Sequence, residues 1–119
     1  MATITIVISE GPYGRLNANT ALRVASAALK DGHKVNIFLT QDGVEVGKKY
    51  LNPRSHGGYL QLAEYLDEVV KNENAKVKVC GFCSELRGLT ERDFPRKFEM
   101  STAHDLVQWV LESDKTITF

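Results

Sequence analysis

The N-terminal third of the chain alternates between strand-like and helix-like spacing of apolar residues. Residues 3–9 are rich in β-branched side chains with every second position apolar, which is typical of a strand. Residues 17–30 repeat alanine and leucine at helical spacing, and Asn17 or Asn19 is the predicted N-cap. In residues 33–40 apolar and polar side chains alternate again, which predicts a second strand. The helix between the two strands is long enough to be a crossover connection, so the strands are predicted to be parallel neighbours.

The rest of the chain continues the same alternation of helices and strands. The predicted elements are a short helix at 41–49, a helix at 59–70, a strand at 76–80, a short helix at 83–89, a strand at 97–100, a helix from 102 and a closing strand at 116–119. Ser101 or Thr102 is the predicted N-cap of the last helix. Apolar residues at helical spacing predict its inner face, namely Ala103, Leu106, Val107, Val110 and Leu111. The lysine–valine alternation of the strand at 76–80 predicts that one face of the sheet is incompletely covered.

This order of elements predicts an α/β fold. Alternating strands and helices are typical of a doubly wound, mostly parallel sheet, here five-stranded, with helices on both faces in three layers. At 119 residues the chain is long enough for one domain, which we expect to span residues 1–119.

Composition and charge narrow the classes of function. Lysine plus arginine (15) equal aspartate plus glutamate (15), and this zero net charge argues against nucleic acid as a direct ligand and favours self-association. No apolar run is long enough to span a membrane. The N-terminus enters the first strand without signal-peptide features, and two cysteines do not make a disulfide framework. We therefore expect a cytoplasmic protein.

A site in such a sheet is expected at the carboxyl ends of the parallel strands. That rule selects residues 9–15, 40–43, 80–83 and 100–102. The third stretch, Cys-Gly-Phe-Cys, is chemically the most reactive. Cys80 leaves a predicted strand and Cys83 opens a predicted helix, where backbone N–H groups and the helix dipole favour the thiolate.

Three chemistries fit a Cys-x-x-Cys at such a turn, beside the simpler reading of two buried structural cysteines. Dithiol–disulfide exchange is one, although the tryptophan that usually precedes a thioredoxin-type pair is missing here. The single tryptophan of the chain, Trp109, is expected to complete the core or to mark a subunit contact. Zinc is the second, with His56 and His104 as further ligands that follow no recognised spacing. Sulfur transfer through a persulfide is the third. We expect neither a metal nor an organic cofactor.

Other candidate contacts lie around this pair. The turn from Gly11 to Gly14 is a candidate anion nest, or simply a strand-to-helix turn. His56 lies in the irregular stretch at 50–58, of which residues 52–58 are predicted to cover the reactive cysteine. Arg87 follows one helical turn after the second cysteine. The candidate substrate- or anion-binding residues are Gly11, Tyr13, Gly14, His56 and Arg87.

Three stretches together resemble a known family. They are Gly-Pro-Tyr-Gly at 11–14 with the alanine-rich helix that ends at 33, Val-Asn-Ile-Phe-Leu at 35–39 with Asp-Gly-Val at 42–44, and Val-Lys-Val-Cys at 77–80 with Leu-Arg-Gly-Leu at 86–89. In this order, and down to the closing Thr-Ile-Thr-Phe, the chain resembles the DsrE/DsrF-like sulfur-relay family over nearly its whole length.

The resemblance implies a flavodoxin-like α/β layer fold and assembly into trimers or hexamers of identical or related subunits. It also implies that Cys80 carries persulfide sulfur between a donor and an acceptor protein. The family's cysteine is often solitary at this place, so Cys83 is a departure that could attack a Cys80 persulfide, release sulfide and leave a disulfide. We therefore predict a sulfur carrier or sulfurtransferase. The alternatives are a non-catalytic oligomeric assembly or regulatory module and a dithiol redox protein.

Overall fold

A five-stranded sheet forms the centre of the computed structural model, which describes residues 1–49 and 60–119. Its strands are β1 (Thr3–Ile8), β2 (Lys34–Leu39), β3 (Ala75–Cys80), β4 (Glu99–Ser101) and β5 (Lys115–Thr118). Their order across the sheet is β4-β3-β2-β1-β5, and every neighbouring pair is parallel. The predicted α/β sheet is confirmed, and all of its described pairings are parallel.

In the described part of the chain, four α-helices connect these strands. They are α1 (Asn17–Lys30), α2 (Leu60–Lys71), α3 (Gly81–Leu86) and α4 (Ala103–Glu112). Short 3-10 helices occupy Gln41–Gly47 and Glu91–Asp93. The bounds of α1 agree with the prediction, whereas α3 begins two residues earlier than predicted. No helix within the described ranges has the length and apolar character needed to cross a membrane.

One face of the sheet is apolar and lies under α1 and α2. The buried residues that alternate onto this face include Ile6, Ile8, Ile37, Leu39, Val77 and Val79. The inner side of α1 is mostly alanine, so the helix backbone approaches the strands closely. Because β-branched and leucine side chains fill the remaining space, this face is the main hydrophobic core.

The opposite face is more polar and is covered by α4. Trp109 is only 6% exposed, and its ring meets Phe38 edge to face with 6.3 Å between centroids. The ammonium group of Lys78 lies 4.7 Å from the centre of the same ring. Helices on both faces give the three layers that the sequence predicts. The lysine-bearing face of β3 is the incompletely covered one.

The predicted inner face of α4 is wrong at four of its five residues: Leu106 is half-buried against the core, whereas Ala103, Val107, Val110 and Leu111 are exposed. Val107, Val110 and Leu111 are 53%, 41% and 74% exposed, and Trp109 points to the sheet in their place. The large indole needs the space between helix and sheet, and this rotates the aliphatic side chains outward. Trp109 thus completes the core, and an apolar surface remains on the outer side of α4.

The helix caps agree with the prediction at α4 but not at α1. Thr102 caps α4 and forms a reciprocal capping box with Asp105. At α1 the N-cap residue is Leu16, and no side chain caps the helix, so the prediction of Asn17 or Asn19 is wrong. An asparagine one or more residues inside the helix has passed the position from which its side chain can reach the free N–H groups.

Candidate functional site

Parallel pairing brings the carboxyl ends of the strands to one edge of the sheet. Thr40 follows β2, and its hydroxyl oxygen lies 3.5 Å from Sγ of Cys83. Cys80 ends β3 and pairs there with β4. Gly11 follows β1 and packs on the backbone of Asp42, where an added Cβ would lie 3.3 Å from the carbonyl oxygen. The four strand ends selected from the sequence therefore meet at one place.

The two cysteines form a single unit between β3 and α3. Cys80 is the N-cap of α3, and its sulfur accepts a hydrogen bond from the backbone N–H of Cys83 at 3.4 Å. Both are free thiols; Cys80 is 9% exposed and Cys83 is half-buried. The helix opens at Gly81, not at Cys83 as predicted. Since α3 has only six residues, hydrogen bonds to individual sulfurs outweigh its dipole.

Cys83 is the more acidic of the two thiols. Burial raises the pKa of Cys83, but hydrogen bonds from Thr40, from the Cys80 thiol and from the backbone N–H of Gln41 outweigh it. The positive charge of Arg87 acts in the same direction. The net result is a pKa of Cys83 below the ordinary thiol value.

Cys80 behaves in the opposite way. Burial raises the pKa of the Cys80 thiol, and the hydrogen bond and negative charge of Cys83 raise it further. The N–H of Cys83 and the hydroxyl of Thr40 oppose this rise without cancelling it. The two neighbouring thiols therefore differ in acidity, with the pKa of Cys83 lowered and the pKa of Cys80 raised. The helix dipole alone does not predict this difference.

Arg87 ties α3 to the segment after β2. Its Nη2 and Nε donate to one carboxylate oxygen of Asp42 at 2.6 and 3.2 Å, and its Nη1 donates to the Cys83 carbonyl at 2.9 Å. The predicted contact Arg87 therefore lies at the site with its charge paired. Asp42 is a site residue that sequence reasoning missed, although the strand-end rule selects its stretch.

The other four candidate anion contacts, Gly11, Tyr13, Gly14 and His56, do not form one cluster in the described structure. Gly11 lies against Asp42 and so borders the site, whereas the hydroxyl of Tyr13 accepts a hydrogen bond from Lys48 at 2.7 Å. Gly14 has a φ of +75°, which glycine adopts at little cost and which turns the chain towards α1. His56 and the 52–58 segment lie outside the described residues.

Metal ligands are not grouped at this edge of the sheet. Within residues 1–49 and 60–119, no three histidine, cysteine, aspartate or glutamate side chains lie together in a way that could hold a metal ion. The chemistry that the described groups offer is that of a paired thiol and thiolate next to a hydroxyl, a backbone N–H and a guanidinium group.

Relatives of known sequence match the chain over its whole length. The family model described as "DsrE/DsrF-like family" matches residues 2–119. An uncharacterized protein of Methanopyrus kandleri is 53% identical over 116 residues, which cover 98% of this chain and 93% of the relative. Protein YchN of Escherichia coli is 31% identical over the full length of both chains. Sulfurtransferase TusD of Sodalis glossinidius is 27% identical and covers 96% of this chain and 95% of its own.

Solved structures agree with this assignment. The crystal structure of YchN from E. coli superposes with a TM-score of 0.82 at 30% identity, and the match covers both chains completely. A protein of unknown function from Methanobacterium thermoautotrophicum has a TM-score of 0.76 at 10% identity, which is evidence for the fold alone. The family match, the identity to YchN and the shared fold lead to one conclusion: this chain belongs to the DsrE/DsrF-like family.

Proposed function

We propose that the chain is a sulfur carrier that accepts sulfane sulfur as a persulfide on Cys80 and passes it to a partner protein. The observation that carries the proposal is the hydrogen-bonded pair of a thiol at Cys80 and a low-pKa thiol at Cys83. Relatives named as sulfurtransferases support it, since TusD-type chains match nearly the full length. Cys80 also occupies the strand end where the family resemblance expects the sulfur acceptor.

The pair has the groups that a persulfide exchange needs. The sulfur of Cys80 attacks the terminal sulfur of a donor persulfide, R–S–SH, while its proton passes to the Cys83 thiolate. One S–S bond forms at Cys80, the donor's S–S bond breaks, and the donor leaves as R–S⁻. No electrons are gained or lost overall. Cys83 acts as the base because its backbone N–H lies 3.4 Å from the sulfur of Cys80 and the lowered pKa of its own thiol favours the thiolate.

Delivery is the same exchange in reverse. The thiolate of an acceptor protein attacks the terminal sulfur of the Cys80 persulfide, and Cys80 leaves with the proton that Cys83 held. The donor and the acceptor are both partner proteins in this scheme. Phe82 and Leu86 lie on α3 with the cysteines and are 69% and 68% exposed, which offers such partners an apolar contact beside the site. We propose a reducing, cytoplasmic setting, where both thiols stay free.

Sulfur loading is expected to require Cys80. Wild-type protein, incubated with a cysteine desulfurase and cysteine, is expected to gain one sulfur atom by intact-mass spectrometry. Cys80→Ser is expected to gain none, because the attacking sulfur is missing. Cys83→Ser is expected to load several-fold more slowly, because the base is missing, yet to keep the sulfur once loaded.

The matched pair of serine variants also tests the assignment. Both should unfold at the denaturant midpoint of wild type, so that a loss of loading reports chemistry. Equal loading of Cys80→Ser and wild type would contradict Cys80 as the carrier. Absence of loading in all three proteins, with thiols that alkylate only after unfolding, would favour a non-catalytic assembly module.

A dithiol redox protein is the second candidate function. The observation that favours it is the 3.4 Å hydrogen bond from the backbone N–H of Cys83 to the sulfur of Cys80, which holds the two cysteines next to each other. Cys83 could then attack the inner sulfur of a Cys80 persulfide. That attack forms the Cys80–Cys83 disulfide and releases sulfide, and an external thiol must then reduce the disulfide. Sulfide release by wild type but not by Cys83→Ser in the same loading experiment would favour this candidate.

We also propose that copies of the chain associate through the outer side of α4. Val107, Val110 and Leu111 expose apolar side chains there, and a zero net charge provides little repulsion between copies. The resemblance expects a trimer or a hexamer. Wild type is therefore expected to elute as an oligomer in size-exclusion chromatography with light scattering.

The α4 surface can be tested by charge. The double variant Val107→Asp/Leu111→Asp is expected to shift the protein to monomers, because association would bury two unpaired carboxylates. Gln108→Asp places one carboxylate at a neighbouring exposed position that is already polar, and it is expected to retain more of the oligomer. A monomeric wild type at micromolar concentration would contradict the proposal.

A further inference from the structure

The turn after β2 approaches the sulfur of Cys83 with two hydrogen-bond donors. The hydroxyl of Thr40 lies 3.5 Å from Sγ. The backbone N–H of Gln41, the next residue, acts on the same thiol and lowers its pKa. The two donors are consecutive in the chain and are distant in sequence from the cysteine. Their convergence on one sulfur is therefore a property of the tertiary structure.

Gln41 has an unusual backbone conformation. Its φ of +52° is the only positive φ of a non-glycine residue among residues 1–49 and 60–119. A side chain with a Cβ is disfavoured in this region, and glutamine is not among the residues that adopt it readily. Disfavoured backbone conformations persist where the surrounding structure enforces them, and they concentrate at functional sites.

Contacts on two sides hold the turn in this conformation. On the side of β1, the backbone N–H of Thr40 donates a hydrogen bond to the carbonyl oxygen of Ile8 at 3.0 Å. Gly43 packs against the same carbonyl group, and a Cβ added to Gly43 would lie 2.0 Å from its oxygen. On the side of α3, Arg87 holds Asp42 with an Nη2–Oδ1 distance of 2.6 Å. The turn is thus fixed between the end of β1 and α3, the helix that contains Cys83.

We propose that Thr40 and the backbone N–H of Gln41 form a sulfur-anion pocket for Cys83, and that the Arg87–Asp42 ion pair clamps this pocket onto α3. The inference deepens the proposed function, because it names the positioning residues that prepare Cys83 as the base. Hydrogen bonds to the sulfur stabilise the thiolate of Cys83 without placing a second charged group beside it. The site therefore remains open to the sulfur of a partner protein.

The pocket is tested by the pH dependence of Cys83 alkylation. Wild type and variants react with iodoacetamide over a pH series, and the rate at Cys83 is read by peptide mass spectrometry. Because only the thiolate reacts, the rate falls as the pH drops through the pKa of Cys83. Thr40→Val, which removes the hydroxyl at nearly constant volume, is expected to slow alkylation about tenfold below that pKa. Thr40→Ser is expected to restore most of the rate.

The clamp is tested by Asp42→Asn. Removing a negative charge near a thiolate should by itself speed alkylation, because it lowers the electrostatic cost of the anion. The clamp predicts the opposite, a slower reaction at Cys83, because Arg87 then loses its carboxylate partner and the turn is released. A rate that is unchanged or faster in Asp42→Asn would overturn the clamp.

The remaining outcomes separate this inference from the proposed function. A Cys83 pH profile that is unchanged in Thr40→Val, with a wild-type unfolding curve, would overturn the pocket. Thr90→Val is the matched control for a threonine elsewhere in the chain and should leave the profile unchanged. Alkylation requires no sulfur donor, so a shifted profile supports the pocket even if the wild type accepts no sulfur. Sulfur loading with an unshifted profile would support the function alone.

Discussion

Gly43→Ala is expected to lower the free energy of unfolding by about 3 kcal/mol, because the new methyl group has no space against rigid backbone. Its Cβ would lie 2.0 Å from the carbonyl oxygen and 2.7 Å from the carbonyl carbon of Ile8. Ile8 ends the interior strand β1 and is fully buried, so it cannot move without disturbing the sheet. The turn must shift instead, and this carries Thr40 and Gln41 away from Cys83.

Urea unfolding followed by circular dichroism measures this loss, and Gly81→Ala is the matched control. An added Cβ at Gly81 meets a single backbone oxygen, that of Ser101, at an ordinary 3.4 Å. The control is therefore expected to stay within about 0.5 kcal/mol of wild type. Slower Cys83 alkylation in Gly43→Ala, but not in Gly81→Ala, is the expected functional consequence. A wild-type unfolding midpoint for Gly43→Ala would contradict the close packing of the turn.

Trp109→Ala is expected to cost about 4 kcal/mol of unfolding free energy, since it empties a large buried volume between α4 and the sheet. The indole is 6% exposed and contacts the ring of Phe38, so its removal leaves a cavity lined by a fixed strand. Lys78, whose ammonium group lies over the ring, would lose its aromatic partner as well. The lost contacts are those that attach α4 to the polar face.

Leu111→Ala is the control that distinguishes the observed orientation of α4 from the one expected from helical spacing. Leu111 is 74% exposed, so its truncation should change the unfolding free energy by less than about 0.5 kcal/mol. Circular dichroism is the suitable signal because Trp109 is the only tryptophan. The measurement uses dilute protein, so that association through α4 does not contribute to the unfolding free energy. A larger loss in Leu111→Ala than in Trp109→Ala would contradict the packing of this helix.

The elements and their arrangement in a parallel sheet were determined by local sequence. The strands were predicted from alternation and β-branching, and α1 from alanine and leucine at helical spacing, because these signals depend on residues a few positions apart. The position of Cys80 at the end of β3 followed in the same way. Thr102 was also recognised as a cap, since capping involves only the next three residues.

Only the tertiary structure decided which side of α4 faces the sheet and which of the two cysteines has the lower pKa. Helical spacing identifies an apolar side, but the polar face of the sheet and the size of Trp109 determine what is buried. The acidity of Cys83 depends on Thr40 and Gln41, which are about forty residues away in the chain. Burial, charge and hydrogen bonding act through space, so a thiol's pKa follows from its neighbours in the fold and not from its spacing in the sequence.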